Sequence, residues 1–332
     1  MKIKKKYYGT TSQGEKVTLY TLTNSNGISL EIINYGGIIT KLFFPDNKGV
    51  LGNIVLGYDN LKYYEDNQPF FGAIIGRYAN RIKDGSFKIE NKQIHVDKNI
   101  GENHLHGGFS GFHKKVWRAR SIKRKNSVSL ILNYFSKDHE GGFPGNLDTT
   151  VFYSLNNNNE LEIKYIAKTD KKTIVNFTNH SYFNLGSSLN NDIFNHKLLL
   201  KSNKYLEVSS DLIPTGKLLN VRDTKYDFSN LTKLSSELDH CWVLDKYFKK
   251  KIELAAVLVN EETERKIEVY TDEPGIQVYT GNNLKSKHKK NSGICLETQH
   301  FPNSPNQPNF PSTELLPGEI YESNTVIKLM NT

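Results

Sequence analysis

The feature that most restricts the fold of this chain is a period of two. Leu161, Ile163 and Tyr165 alternate with Glu162 and Lys164, which puts every second side chain on one face of an extended strand. Ile267 with Val269, and Ile276 with Val278, alternate in the same way on either side of Asp272-Glu273-Pro274-Gly275, a turn sequence. Further β-rich runs cover Ile28 to Ile33, Ile38 to Phe44, Val128 to Tyr134, Thr150 to Leu155, Ile174 to Phe177 and Ile252 to Val259. Gly, Asn, Asp or Pro clusters separate most of them at about 10–20 residues, the rhythm of a large β-sandwich or barrel. Helical spacing is confined to Leu231, Leu234 and Leu238, which predict a two-turn helix behind an N-cap at Ser229 or Asn230. Helices and strands do not alternate, so a doubly wound sheet or a TIM barrel is not expected.

The chain has 332 residues, room for two domains or one large all-β domain. It carries no low-complexity linker and no internal repeat, so residues 1–332 read as one domain. Phe301 to Pro317, rich in Pro and Asn, reads as an ordered loop between strands. The 18 Tyr and 17 Phe supply rings for a core. The net charge of +9 raises nucleic acid or an anionic membrane as partner. The lysines, however, lie in scattered clumps: Lys2 with Lys4 to Lys6, Lys249 to Lys251, and Lys285 to Lys290. None is interleaved with aromatics, so they read as solvated surface, with neither partner expected. No apolar run approaches the ~18–20 residues that span a bilayer, and no apolar stretch follows the basic N-terminus. The two cysteines, Cys241 and Cys295, lie outside any C-x-x-C spacing. A reduced, cytoplasmic protein is expected.

Five clusters carry candidate chemistry. In Asn103-His104-Leu105-His106-Gly107-Gly108, a strand would turn both histidines to one face, the spacing of a metal pair. No third ligand follows, so no metal is expected. Thr178 to Leu185 sets His180 among polar and aromatic neighbours, and imidazole exchanges protons near neutral pH. Cys295-Leu296-Glu297-Thr298-Gln299-His300 brings a carboxylate to a strand end. Leu238-Asp239-His240-Cys241-Trp242 places an acid beside a His, and Gly76 to Ile82 holds two arginines around Asn80. A G-x-S-x-G elbow and a phosphate loop are both missing, and thiol chemistry at Cys241 or Cys295 would need a depressed pKa.

Together these segments resemble a known family. GRYANRI (Gly76 to Ile82), NHLHGG (Asn103 to Gly108), TNHSYFNL (Thr178 to Leu185), DHC (Asp239 to Cys241), PGIQVYTGN (Pro274 to Asn282) and ETQHFPNSPNQPNFP (Glu297 to Pro311) appear in this order. NYGG (Asn34 to Gly37) and GFPG (Gly142 to Gly145) complete the set. From about residue 10 to 325 the chain resembles the galactose mutarotase (aldose 1-epimerase) family.

The resemblance implies a large antiparallel β-sandwich, the galactose mutarotase-like supersandwich. It implies interconversion of the α and β anomers of free hexoses such as galactose and glucose, with no cofactor. By resemblance Glu297 is the base toward the C1 hydroxyl and His180 the acid toward the ring oxygen. The residue types suit an ionised Glu and a protonated His near pH 7, so Glu297 is expected to govern the acid limb of a bell-shaped pH profile and His180 the alkaline limb. Asn80, Arg81, His106, Asp239 and Gln277 match sugar-binding positions, while Arg77 reads as structural and His104 falls outside the motif. A hexose-6-phosphate epimerase of the same fold, a glycosidase using Glu297 and Asp239, and a non-catalytic sugar-binding protein are the rivals. A monomer or homodimer is expected.

Overall fold

The computed structural model describes residues 1–66, 69–246, 250–285 and 287–332. Three antiparallel sheets carry most of it. The first runs in sequence order through Lys2–Thr10, Lys16–Thr23, Ser29–Ile33, Ile38–Pro45 and Leu51–Asn53. The second has nine strands in the spatial order Arg118–Lys123, Ser127–Ser136, Leu147–Asn156, Glu160–Thr169, Tyr321–Asn331, Arg265–Thr271, Glu253–Asn260, His196–Leu200 and Thr232–Lys233. The third has six: Tyr182–Phe183, Ile294–Gln299, Gly275–Tyr279, Asp239–Val243, Lys204–Val208 and Pro214–Asn220. This is the antiparallel β-sandwich that the period of two predicts.

Burial follows the alternation. In Leu147–Asn156, Leu147, Val151, Tyr153 and Leu155 are buried while their neighbours stay wet, each buried side chain contributing about 1.5–3 kcal/mol. One core joins all three sheets, with Leu22 and Leu30 from the first, Leu130, Leu161 and Val269 from the second, and Trp242, Ile276 and Leu296 from the third. Lys2, Lys4, Lys5 and Lys6 are exposed on the edge strand, where charge discourages pairing with another chain. Lys250, Lys251, Lys285, Lys287, Lys289 and Lys290 are also exposed. Lys249, and Ser286 within the last clump, lie outside the described residues.

Two local expectations fail. The helix drawn through Leu231, Leu234 and Leu238 does not form; Thr232–Lys233 instead pairs with Lys197 and Leu198 at the sheet edge. Leu234 and Leu238 enter the core and Leu231 stays 44% exposed. Two turns of helix are too short to hold without packing, and strand pairing wins. The α-helix among the described residues is elsewhere, at Leu61–Glu65, capped by Asn60 accepting the Lys62 N–H at 3.0 Å. The run Ile174 to Phe177 also stops short, with strand only over Thr173–Ile174. Beyond it Asn176 spends its side chain on Ala79 and His300, tying two motifs together. Phe301 to Pro317 is the ordered loop expected, pinned where Asn303 accepts the Lys83 N–H at 3.0 Å and Thr173–Ile174 pairs with Glu314–Leu315.

Candidate active site

One face of the six-stranded sheet floors a pocket. Asp239 lies opposite Tyr279, Tyr279 opposite Cys295, and Cys295 opposite Tyr182. One step along, Cys241, Gln277 and Glu297 form a second row. Directly opposed residues share a face, as do residues two apart on a strand. Both rows therefore point the same way, with His240, Val278 and Leu296 on the reverse. Asp239, Gln277, Tyr279, Glu297 and Tyr182 line a cavity of about 190 Å³. Its remaining wall includes Phe70, Asn80, Arg81, His106, His180 and Leu284. All seven residues singled out by resemblance thus converge on one cavity.

His180 sits between two short strands, Thr178–Asn179 and Tyr182–Phe183, which pair with Ile74–Ile75 and with Ile294–Cys295. Its main chain is held on both sides: its N–H donates to Ala73 and its carbonyl accepts from Gly72. The ring's Nε2 lies 3.7 Å from Oε1 of Glu297, both groups buried. Glu297 Oε2 is buried without a hydrogen-bond partner. An unsatisfied buried carboxylate oxygen costs stability, and a catalytic role is one reason a fold keeps such a group. Beside it Gln277 Nε2 donates to Asp239 Oδ1 at 2.6 Å.

Asn80 and His106 lock each other. The His106 N–H donates to the Asn80 carbonyl and the Asn80 N–H donates to His106 Nδ1, both at 3.1 Å. Asn80 Oδ1 accepts the Arg81 N–H at 2.9 Å. Both Asn80 and His106 have positive φ, 64° and 54°, the kind of backbone that concentrates at functional sites. Gly107 is obligatory beside them, since a Cβ there would come within 1.9 Å of the Gly76 carbonyl oxygen.

The H-x-H alternation does not hold. Strand spans only His104–Leu105, and the turn at His106 sends the two rings apart. His104 is fully buried against Phe143, with Nδ1 donating to Asp97 O at 2.8 Å and Nε2 accepting from Gly107 at 3.1 Å. Ligand atoms of His106, His180 and Glu297 do fall within 4.8 Å of one another. In neutral His106, however, Nδ1 is occupied by the Asn80 N–H and Nε2 carries the proton, leaving no lone pair for a metal.

Arg77 and Arg81 also divide. Arg77 is buried and donates to Ser136 Oγ and to the carbonyls of Ser136, Lys137, Pro144 and Gly145, which gives GFPG its place in the fold. Arg81 lines the cavity and donates only to Asn80 among the described bonds. His240 does not join Asp239; its Nε2 meets the Tyr226 hydroxyl at 3.2 Å. His300 pairs instead with buried Glu273, at 2.6 Å.

Burial reverses the expected protonation. It pushes Glu297 well above the usual carboxylate range, helped by Asp239 and opposed by Arg81. It raises Asp239, against Arg81 and Gln277. It lowers His180 to about 4 and His106 well below its usual value, the latter helped by His180 and Arg81. The free pair thus favours neutral imidazole with protonated carboxyl over ionised Glu with imidazolium. Both thiols are pushed up by burial, so neither has the depressed pKa of a nucleophile.

Sequence reasoning missed Phe70, whose ring centroid lies 4.9, 4.8 and 5.8 Å from those of His106, His113 and His180. Its φ of 60° is unusual for an aromatic residue, and no local pattern marks it. Tyr182 and Tyr279 were within quoted motifs, and their period-two spacing to His180 and Gln277 was the available signal.

The family model described as aldose 1-epimerase matches residues 18–328. The galactose mutarotase of Mus musculus is 40% identical over 320 residues, 92% of each chain. The aldose 1-epimerase of Escherichia coli K12 is 34% identical over 334 residues, covering 94% of this chain and 95% of its own. The crystal structure of galactose 1-epimerase from Lactobacillus acidophilus superposes with a TM-score of 0.87 at 27% identity, over 99% of both chains.

Proposed function

The chain belongs to the aldose 1-epimerase family, and from that premise we propose that it interconverts the α and β anomers of free galactose and glucose, with His180 and Glu297 as the exchanging pair. The protein is a carbohydrate isomerase. The observation that carries the residue assignment is the buried His180–Glu297 pair, 3.7 Å apart, at the wall of a cavity of about 190 Å³ that Asn80, Arg81, His106, Asp239 and Gln277 also line.

Ring opening breaks the C1–O5 bond. Glu297 takes the proton of the C1 hydroxyl as the carbonyl forms, and His180 Nε2 delivers its proton to O5. The open aldehyde rotates about C1–C2. Closure on the other face returns the O5 proton to His180 and the Glu297 proton to O1. One proton resides on the pair before and after, and positions alone change. No redox partner or covalent intermediate enters this balance, so no cofactor is needed. Each proton transfer contributes roughly 10²–10⁴-fold. The burial that favours neutral His180 with protonated Glu297 favours the state of the pair that accompanies the open aldehyde, which lowers the cost of opening.

His106, with its proton on Nε2, serves as a donor to the ring-oxygen side of the sugar. Asp239, oriented by Gln277, accepts from hydroxyls, and Arg81, oriented by Asn80, donates to them. The described lining contains Arg81 as its one Arg or Lys against two carboxyl groups, which favours an uncharged sugar over a sugar phosphate. We read the chain as one domain acting as a monomer or homodimer in the cytoplasm, without nucleic-acid or membrane partners. The scattered exposed lysines support this, and no helix among the described residues is long and apolar enough to cross a membrane.

Polarimetry on freshly dissolved α-D-galactose tests the function. A faster approach to the same final rotation is expected. An unchanged rate, with acceleration on glucose 6-phosphate instead, overturns the free-sugar reading.

A further inference from the structure

The reaction just described needs one nitrogen of His180 to gain and lose a proton while the other keeps its own. We propose that Cys295 is a positioning residue for this purpose: its Sγ, 3.5 Å from His180 Nδ1, accepts the Nδ1–H and leaves Nε2 as the only exchanging nitrogen. The proposal rests on His180 being the acid.

The geometry divides the ring between two neighbours on one strand. Nδ1 meets Cys295 and Nε2 faces Glu297, and these residues stand two apart on Ile294–Gln299, on the same face. A single strand thus presents both the base and the group that orients the acid. In the imidazolium form both ring nitrogens carry protons, so Nδ1 can only donate, and Cys295 Sγ is the acceptor that meets it.

His106 supplies the contrast. Its ring centroid is 5.2 Å from that of His180, yet its Nδ1 accepts from the Asn80 N–H, so its proton stays on Nε2. In the proposed arrangement the two adjacent imidazoles hold opposite tautomers, His106 Nδ1 accepting from a backbone N–H and His180 Nδ1 donating to a sulfur that can also accept. That makes His106 a fixed donor and His180 the exchanger.

The choice of sulfur has a consequence. A carboxylate at Nδ1 would stabilise the imidazolium and make it a weaker acid. Cys295 is fully buried, and burial together with Glu297 and Asp239 keeps its thiol protonated. A neutral thiol is a weak acceptor; it orients the ring without holding the charge. Among the described residues, the other rings and titratable groups against the imidazole are Phe70, His106, His113, Tyr182 and Glu297, with Glu297 the one carboxyl group. His180 therefore remains a strong enough acid to protonate an ether oxygen.

Nitrogen-15 NMR of histidine-labelled enzyme, with polarimetry, tests this. The wild-type protein is expected to show His180 as a single Nδ1–H tautomer at neutral pH. Cys295→Ala is expected to mix the tautomers and reduce kcat about tenfold, the effect of losing an orienting partner, with KM within about twofold. Cys295→Ser, which keeps an acceptor, is expected to recover most of both. An Nε2–H tautomer in the wild-type enzyme overturns the proposal even where neither variant folds. So does a Cys295→Ala enzyme with unchanged tautomer and kcat. His180→Ala separates the two levels: retained turnover there would remove the acid assignment itself, and the proposal with it.

Discussion

Arg77 and Arg81 are four residues apart in one motif, and His104 and His106 two apart in another, yet each motif splits between scaffold and pocket. Arg77 donates to four backbone carbonyls and a hydroxyl, and both nitrogens of His104 are satisfied by backbone. Arg81 and His106 line the cavity. In these two pairs the member whose side-chain bonds are complete belongs to the scaffold, and the member with bonding capacity left over lines the pocket; unpartnered buried atoms also occur away from the cavity, as at Gln299. Glu297, with an oxygen that no group meets, is the extreme case on the pocket side.

The sharpest way to break this division is Glu297→Gln, which keeps the shape and removes the proposed base. Turnover is expected to fall by about 10²–10⁴-fold with binding of galactose largely kept, as read by polarimetry and calorimetry. Near-normal turnover would return Glu297 to the scaffold.

The arginines give the next largest contrast, with opposite signatures. Arg77→Met should destabilise the fold by on the order of 3 kcal/mol, because several carbonyls lose their donor inside the protein. The molecules that still fold should turn over normally. Arg81→Met should leave the melting temperature nearly unchanged and lower kcat/KM about 10- to 100-fold, the worth of a charged hydrogen bond of about 1.5–3 kcal/mol. Calorimetry beside kinetics separates the two, and matching losses in both variants would erase the distinction.

Histidines on both sides of the division share one liability. His104, His180 and His196 are lowered by burial to about 4, and His113 to about 3. In the unfolded chain each protonates near 6.5. Between those values the unfolded state holds more protons, so the stability these groups contribute is complete above about pH 6.5 and is lost as the pH falls toward 4. The melting temperature should therefore drop steeply from pH 7 to pH 5; a flat profile would contradict neutral burial.

The smallest effect is one of assignment. The rate should still be bell-shaped in pH, since only the singly protonated pair is active. The acid limb now belongs to His180 and the alkaline limb to Glu297, because burial lowers one and raises the other. Carbon-13 NMR of the Glu297 carboxyl should find it titrating above the usual carboxylate range in the free enzyme. An ordinary carboxylate titration would restore the order suggested by residue type.

Much of this protein could be read before any coordinates. Alternation in Leu161 to Tyr165 reflects a half-buried strand, a local consequence of which face meets the core, and the structure keeps it within Glu160–Thr169. The ordered motifs identified the family because each records a local backbone requirement, as the Gly107 turn does. Where local signals were weak, distant pairing prevailed: Leu231 to Leu238 had helical spacing, and Thr232–Lys233 became an edge strand through its pairing with Lys197 and Leu198. The cross-strand register that puts Glu297 beside Gln277 and Cys295 beside Tyr182 was beyond local reading, as was the strained Phe70 over the histidines. Protonation was hidden for a deeper reason. The sequence names the ionisable groups, but their charge depends on how much water the finished fold removes, and on which donor or acceptor it then sets against each nitrogen and oxygen. Residue types and their spacing thus determined the architecture, and the resemblance carried by the ordered motifs supplied the reaction class and the candidate residues. Tertiary structure alone decided how those residues converge on one buried cavity, and in which direction burial there moves the His180 and Glu297 protons.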